Sequence, residues 1–367
     1  MTRDVGEGGV RTFMAIELSE DERRLLITSV RRLLEANWPV EQAVALTNDV
    51  EALRRLWGQL RDLGLAELGA GDGPGLRETL LVFEELGRAS CPAPLIGACL
   101  GNQLLANTDD RSVQGFHAAV RVGKAIPAMA LADFDGDRSA GYVSFADGRV
   151  SGRAAFVEGV ASATHLLVLV TNPPGVAVVR LYGPGVRARA TPGLAVPSLS
   201  EVDFACQAVV WQPHDAQRLT DAASVTRLAS AARALGSAQR AFDLALEHAK
   251  VRRQFGQVIG KFQAIQHKLA DCLSRLDGVR LTVAGAAEAF DRGDVAWRVF
   301  AEAAIAFAAP ALRQVLLEVH HTLGAIGYAE EHEVPRHFRS VHADLVRFGG
   351  AARARAALAD HLLGPAV

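Results

Sequence analysis

From Ser19 the chain reads SEDERRLLITSVRRLLEANW, with Leu25, Leu26, Val30, Leu33 and Leu34 along one helical stripe and Ser19 and Glu22 spaced as a capping box. This spacing predicts an amphipathic helix. Further helical patterns run from about 49 to 63 and from about 76 to 88, where Gly87 and then Cys91-Pro92-Ala93-Pro94 break the period, and another apolar stretch follows to Leu105. The first 120 or so residues are therefore expected to be helical throughout. Between about 125 and 211 the period shortens. The runs 129–134, 142–145, 166–171, 176–181 and 208–211 are bounded by Gly, Pro, Asp and Asn, which predicts a small antiparallel β domain. After Pro213 the helical period returns through Leu228, Leu235, Phe242 and Leu246, then Ile265, Leu269, Cys272, Leu276 and Val279. It continues through Trp297, Phe300 and Phe307 and, past Pro310, Leu312, Val315 and Val319, so three or four long helices in a bundle are expected. The pattern divides the chain into helical 1–124, β 125–213 and helical 214–367, with no internal repeat.

With 367 residues, 50% of them hydrophobic and 22% charged, the chain can bury a large core in two or three domains, which excludes disorder and coiled coil. The balance of 39 Lys+Arg against 41 Asp+Glu, with 6% aromatics, offers neither a basic footprint nor a stacking platform, so nucleic acid is not an expected partner. The first fifteen residues lack the apolar core of a signal peptide. No run reaches the roughly twenty consecutive apolar residues of a membrane span, so a cytoplasmic chain with no membrane partner is expected. Cys91, Cys99, Cys206 and Cys272 form no C-x-x-C pair and have no histidines nearby, which points to small core residues and away from disulfides or zinc.

The segment Arg252-Arg253-Gln254-Phe255-Gly256-Gln257-Val258-Ile259-Gly260-Lys261-Phe262-Gln263-Ala264-Ile265-Gln266-His267 breaks a helix with two glycines and sets a cation, amides and phenylalanines at the break. Residue by residue, it is either a polar helix-to-helix connection or a turn suited to an anionic, partly aromatic group. As a motif, it closely resembles the R-x-x-F-G-x-x-I-G-x-F-Q-x-x-Q of the acyl-CoA dehydrogenase family. Glu84-Glu85-Leu86-Gly87-Arg88 resembles the family's E-E-L-G-R, Val202-Asp203-Phe204 its closing β strand, and His321-Thr322-Leu323-Gly324-Ala325-Ile326-Gly327-Tyr328 its Q-x-x-G-G-x-G-Y turn. The resemblance implies a mostly α fold with a small central β domain: an N-terminal helical domain, a β-barrel-like middle domain and a C-terminal four-helix bundle. It also implies FAD, a carboxylate that takes the α-proton of an acyl-CoA thioester, and hydride transfer to the flavin.

Measured against the family, some parts are replaced. The usual glutamate lies about nine residues past an arginine, here Arg339, and the count lands on Phe348 within Arg347-Phe348-Gly349-Gly350. The alternative base position lands on Thr226, beside Arg227. Neither position holds an acid, so no catalytic residue is expected. On the flavin-ring side, T-E-P-x-x-G-S-D is replaced by Leu131-Ala132-Asp133-Phe134-Asp135-Gly136-Asp137, and the W-I-T strand by Ala154-Ala155-Phe156-Val157-Glu158. The surviving parts are those that reach a neighbour's flavin in this family: Arg252 toward the pyrophosphate, Gln254, Phe255 and Gln263 toward the adenosine end, and the turn His321, Thr322, Leu323, Gly324 and Ala325 with its backbone N–H groups.

By this resemblance the chain is the non-catalytic subunit of a heteromeric α2β2 acyl-CoA dehydrogenase, of the type found in actinobacterial steroid side-chain degradation. Its implied partners are a paralogous subunit bearing the glutamate, an acyl-CoA and an electron-transfer flavoprotein or similar acceptor. The alternatives are a self-sufficient enzyme with a displaced base such as Glu330 or Glu331, with Glu333 near them, and a flavin-free scaffold of the same fold. Glu247 reads as a solvated helix charge, and His332, His337 and His342, five apart and not convergent, as surface histidines. Asp133, Asp135 and Asp137 read as a solvated β turn without the closing Glu of a calcium loop, and no metal site is expected.

Overall fold

The computed structural model describes residues 18–364 apart from 40–41, 48, 107, 132–140 and 194. Helix α1 (Glu20–Asn37) starts at the expected capping box, with the Ser19 side chain and Glu22 closing on each other. After α2 (Ala43–Thr47), α3 (Val50–Asp62) is capped by the Asp49 carboxylate at 3.0 Å from the Ala52 N–H. The N-terminal helices are completed by α4 (Leu76–Arg88), α5 (Leu95–Leu104) and α6 (Arg111–Arg121), the last capped by Asp110. The C-terminal helices are α7 (Ala216–Val251), α8 (Gln263–Asp291), α9 (Trp297–Leu323), α10 (Val334–Val346) and α11 (Gly350–Leu363).

Between them lie two four-stranded sheets. One has the order β1 (Pro127–Ala130), β4 (His165–Thr171), β5 (Pro174–Arg180), β8 (Val210–Pro213). The other has the order β2 (Gly141–Ala146), β3 (Arg149–Glu158), β7 (Leu199–Gln207), β6 (Val186–Ala190). The pairing departs from the expected all-antiparallel domain at one place. β1 runs parallel to β4, with Pro127 opposite His165, because the chain leaves β1 and passes through the second sheet before returning. Strands β3 and β6 escaped the periodicity reading for physical reasons. β3 carries Gly152, two arginines and a register shift between Ala154 and Val157, while β6 is almost wholly exposed and shows no apolar signal. Alternate residues from the two sheets, among them Val150, Ala154, Val168, Val179 and Val202, form one core between them.

A second core runs from α1 to α10 and joins the helices on both sides of the sheets. Its tightest point is the crossing of α4 and α7. A Cβ at Gly87 would meet the Arg233 carbonyl at 1.9 Å, and one at Gly236 would meet the Glu84 carbonyl at 1.8 Å. The Ser237 hydroxyl donates to the Gly87 carbonyl at 2.9 Å across the same crossing. The Glu84-to-Arg88 segment therefore has a packing role: Gly87 lets two backbones touch, while Glu84, Glu85 and Arg88 bind Arg280, Arg31 and Asp243 around it. The start of α4 has no cap in its own sequence. Asp291, at the end of α8, accepts from the N–H groups of Leu76 and Arg77 at 2.7 and 3.0 Å.

Helix α9 is apolar and long enough by composition to cross a membrane, with mean hydropathy 1.4 over its most apolar window. It is instead a core helix, with Ala301, Ala304, Ala308, Leu312, Val315 and Val319 buried against α7, α8 and α11. Cys91, Cys99 and Cys272 are buried free thiols, and Cys206 is half-buried. Among the described residues no three His, Cys, Asp or Glu side chains converge as metal ligands, and the Asp133, Asp135 and Asp137 turn lies outside them.

Gly87→Ala should destabilise the fold by about 1–3 kcal/mol or more, because the added methyl has a rigid carbonyl in its place. Gly58→Ala, in α3 with nothing within 4 Å of the new methyl, should stabilise it by about 0.5–1 kcal/mol. Urea denaturation of the two variants beside the parent measures both, and equal midpoints would mean that the helices can separate at little cost.

Candidate functional site

The positions where a catalytic base was sought, Thr226 and Phe348, meet in one cleft. It is bounded by Phe83 of α4, Ile96 and Gly97 of α5, Pro127 to Met129 of β1, Phe156 and Glu158 of β3, and Thr226, Ala229, Ser230 and Arg233 of α7. Thr226 and Arg233 are seven residues apart and so share a helix face. The Thr226 hydroxyl donates to the Ala222 carbonyl at 2.9 Å, which ties it to its own helix. Phe348 has φ 58 and ψ 35 and is followed by two further positive-φ residues, Gly349 and Gly350. A non-glycine residue in this region costs on the order of 1 kcal/mol or more, and here the neighbouring ion pairs hold it.

Those ion pairs fill the floor of the cleft. Arg233 donates to both Asp344 oxygens at 2.9 and 2.6 Å and to Glu158 Oε2 at 2.7 Å, with a further contact to Glu158 Oε1. Arg347 donates to Glu158 Oε2 at 2.9 Å and to Asp344 Oδ1 at 3.1 Å, and its guanidinium lies 5.2 Å from the centre of the Phe348 ring. The four side chains are 0 to 9% exposed. Two cations and two anions cancel, so the group can be buried without net charge. Burial pushes the Glu158 carboxyl up, but the Arg233 and Arg347 guanidiniums outweigh it and hold the group at about 2. Arg233 is correspondingly raised well above its usual range.

The carboxylates weighed as displaced bases are elsewhere. Glu330 is exposed and accepts both guanidinium nitrogens of Arg339 at 3.0 Å, and Glu331 is exposed as well. In Glu333, burial pushes the carboxyl up and is outweighed by His337 and Arg240, which hold it at about 2. None of the three lines the cleft, whose one acidic side chain among the described residues is Glu158. Glu247 is exposed, as expected, and so is His342. His337 departs from its surface reading: it is 1% exposed, packed at the foot of α10 with Glu333 3.7 Å away, and burial lowers its pKa.

The motif residues collect at the far end of the bundle. Arg252 follows the last turn of α7, and residues 253–258 form a two-strand ribbon, β9 (Arg253–Gln254) and β10 (Gln257–Val258). Phe255 sits at its tip with φ 49 and is 92% exposed, leaning edge-on toward Phe262. Arg252, Gln254 and Gln263 are all exposed. The turn after α9 lies at the same end, because Lys268 of α8 binds Glu318 of α9 at 2.8 Å and His321 contacts that same carboxylate at 3.3 Å. His321, Gly324 (φ 65) and Ala325 are exposed, whereas Thr322 and Leu323 are buried side chains that can offer only backbone. From Thr226 to Arg252 the chain climbs 26 residues of α7, about 39 Å at 1.5 Å per residue. The motif and the cleft of one chain cannot serve one ligand group.

At 154–158 the cleft does not offer what a flavin ring of its own would need, and residues 132–137 of the other ring-side segment lie outside the described residues. Where the family has a tryptophan-bearing strand, Glu158 is committed to two arginines, and the ring-side donors are absent from 154–158. Arg252 and the exposed amides at the other end do suit a pyrophosphate and an adenosine presented from outside. Sequence reasoning missed the four-residue ion cluster. Its one signal was the pair of arginines, Arg227 and Arg233, in the Ala-rich, buried stretch of α7, SVTRLASAARALGSA.

Residues 217–363 match the acyl-CoA dehydrogenase C-terminal domain. The chain is 26% identical over 356 residues to the mitochondrial isovaleryl-CoA dehydrogenase of Pongo abelii, which spans 88% of this chain and 84% of that one. It is 37% identical to the 3-(aryl)acrylate reductase of Clostridium sporogenes over 142 residues, 38% of this chain and 37% of that protein. The fold matches a chain of the ChsE4–ChsE5 complex from Mycobacterium tuberculosis with TM-score 0.83 at 23% identity, covering 95% of this chain and 99% of that one. It matches a chain of the Tcur3481–Tcur3483 steroid ACAD with TM-score 0.82 at 25% identity, covering 94% and 98%.

Because the Glu158 carboxyl titrates at about 2 when folded, below its ordinary 4.5, the cluster stabilises the fold fully above about pH 4.5 and loses that contribution as pH falls toward 2. Glu158→Gln should cost about 3–5 kcal/mol at pH 7, by leaving two buried arginines with the single carboxylate of Asp344 between them, and should flatten the loss of stability between pH 4.5 and 2. Glu333 leaves a residual slope over the same range. Urea midpoints at pH 7 and pH 3 for parent and variant decide it, and a variant as acid-sensitive as the parent would show that the cluster does not set the slope.

Proposed function

The chain is a member of the acyl-CoA dehydrogenase family, and on that premise we propose that it is the non-catalytic subunit of a heteromeric, FAD-dependent acyl-CoA dehydrogenase. The observation that carries the reading is the division along α7: a cleft whose one carboxylate among the described residues is tied to two arginines at one level, and an exposed flavin-facing motif about 39 Å away. A paralogous subunit with the glutamate would supply the proton acceptor, and FAD bound there would take the hydride. This chain's own residues bind and orient. Arg252 donates to the pyrophosphate, Gln254, Phe255 and Gln263 border the adenosine end, and the 321–325 turn offers backbone N–H groups through Gly324.

An α2β2 assembly with one flavin per pair follows from this division, in the cytoplasm, with an electron-transfer flavoprotein or similar carrier as acceptor. Two structural neighbours named as a complex and as a steroid ACAD support the pairing and a steroid side-chain CoA ester as the substrate class. A self-sufficient enzyme would have to use Glu158, the carboxylate in the cleft. A group held at about 2 by two guanidiniums is a poor acceptor for a proton from carbon.

Expressed alone the chain should be colourless, and co-expressed with a glutamate-bearing paralogue it should carry flavin. Losing one partner of a desolvated charge pair costs about 2–5 kcal/mol, and each 1.4 kcal/mol is about tenfold, so Arg252→Ala should weaken flavin retention by roughly thirtyfold or more. Thr226→Ala and Phe348→Leu should leave turnover of the complex within a few-fold. Flavin absorbance and acyl-CoA turnover of the three complexes are the measurements. Full flavin and turnover in the isolated chain, or loss of turnover in Phe348→Leu with flavin intact in Arg252→Ala, would refute the assignment.

A further inference from the structure

We propose that a second cleft, between the start of α4, the end of α5 and the α8–α9 turn, binds an apolar carboxylate through Arg218. It encloses about 1360 Å³ counting its open mouth, against about 490 Å³ for the cleft at Thr226 and Phe348. Its walls are Leu76, Leu104, Ala222, Val225, Phe290 and Trp297, an apolar surface of the kind that holds small organic ligands with a few placed polar groups. The two clefts are neighbours on the same helices. Thr79 and Ala222 line this one, and Phe83 and Thr226, one turn on, line the other.

The polar groups of the second cleft are unequal. Arg298 is occupied by Asp221, with nitrogen to oxygen distances of 2.6 and 2.8 Å. Asp291 is occupied by the N–H groups that open α4, so that helix terminus is closed to a ligand. Arg218 remains. It is half-buried, donates one bond to the Gln103 carbonyl at 2.6 Å, and has no carboxylate ion-paired with it among the described residues. Beside Gln103 stands Asn102, 0% exposed, whose amide nitrogen donates to the Ala66 and Leu68 carbonyls at 2.9 Å while its Oδ1 has no partner. A buried acceptor without a donor calls for one from outside. A guanidinium with donors to spare and an orphan amide oxygen, set at the edge of an apolar cleft, match a carboxylate with an apolar body and a hydroxyl near the acid group.

The site is independent of the flavin-donor reading, since it involves neither the 252–263 segment nor the Thr226 and Phe348 cleft. Isothermal titration of the full-length protein with decanoate and with 3-hydroxydecanoate tests it without acyl-CoA or flavin. Both acids should bind, the hydroxy acid several-fold more tightly. Arg218→Gln should weaken both at least tenfold, Arg218→Lys should keep most of the affinity, and Phe348→Ala should leave it unchanged. No binding at millimolar acid, equal affinity in Arg218→Gln, or loss of binding in Phe348→Ala in its place would overturn the proposal.

Discussion

Arg233 is the residue on which the middle of the molecule turns. Its carbonyl fills the space that a side chain at Gly87 would need, so α4 and α7 touch backbone to backbone at that level. Its guanidinium, on the other side of the same helix, is shared by Glu158 of the sheets and Asp344 of α10. One residue thus fixes how closely the N-terminal helices approach the bundle and how the sheets and α10 lean on it. A buried cation of this kind cannot be left half-paired, because its desolvation is offset only while both carboxylates stay in place. The elements that carry those carboxylates are held to it for that reason, and Arg347, bound to both, carries Phe348 into the cleft in a backbone conformation that its side chain does not favour.

The same cluster governs what the cleft can do. A proton acceptor needs a carboxylate free to change charge near the operating pH, and the carboxylate that lines this cleft is bound by two guanidiniums. The exposed polar side chains of the motif stand at the other end of α7. Arg252, Gln254 and Gln263 are exposed, and Phe255, at the tip of a two-strand ribbon, stands edge-on to Phe262. Exposed aromatic and cationic side chains gathered on one turn are the kind of groups that the proposed partner's ligand would meet.

The sequence by itself determined the helix, sheet, helix order of the chain and several helix starts, because the signals are local. Ser19, Asp49, Asp110 and Asp215 each cap the helix that follows within three residues. It also carried the resemblance to the acyl-CoA dehydrogenases, through a motif whose residues are contiguous, and excluded an acid at Thr226 and Phe348, since identity at a position needs no fold. Tertiary structure decided whatever joins distant segments: the parallel β1–β4 pair, the capping of α4 by Asp291 from 214 residues away, the burial of His337, and the role of Glu84 to Arg88 as a helix crossing. It decided as well that Glu158, Arg233, Asp344 and Arg347 form one neutral cluster. Beyond arginine in an Ala-rich stretch of α7, no sequence pattern marks such a cluster, because the energy that holds it comes from pairing in a buried place, and that place exists only once the helices and sheets have closed around it.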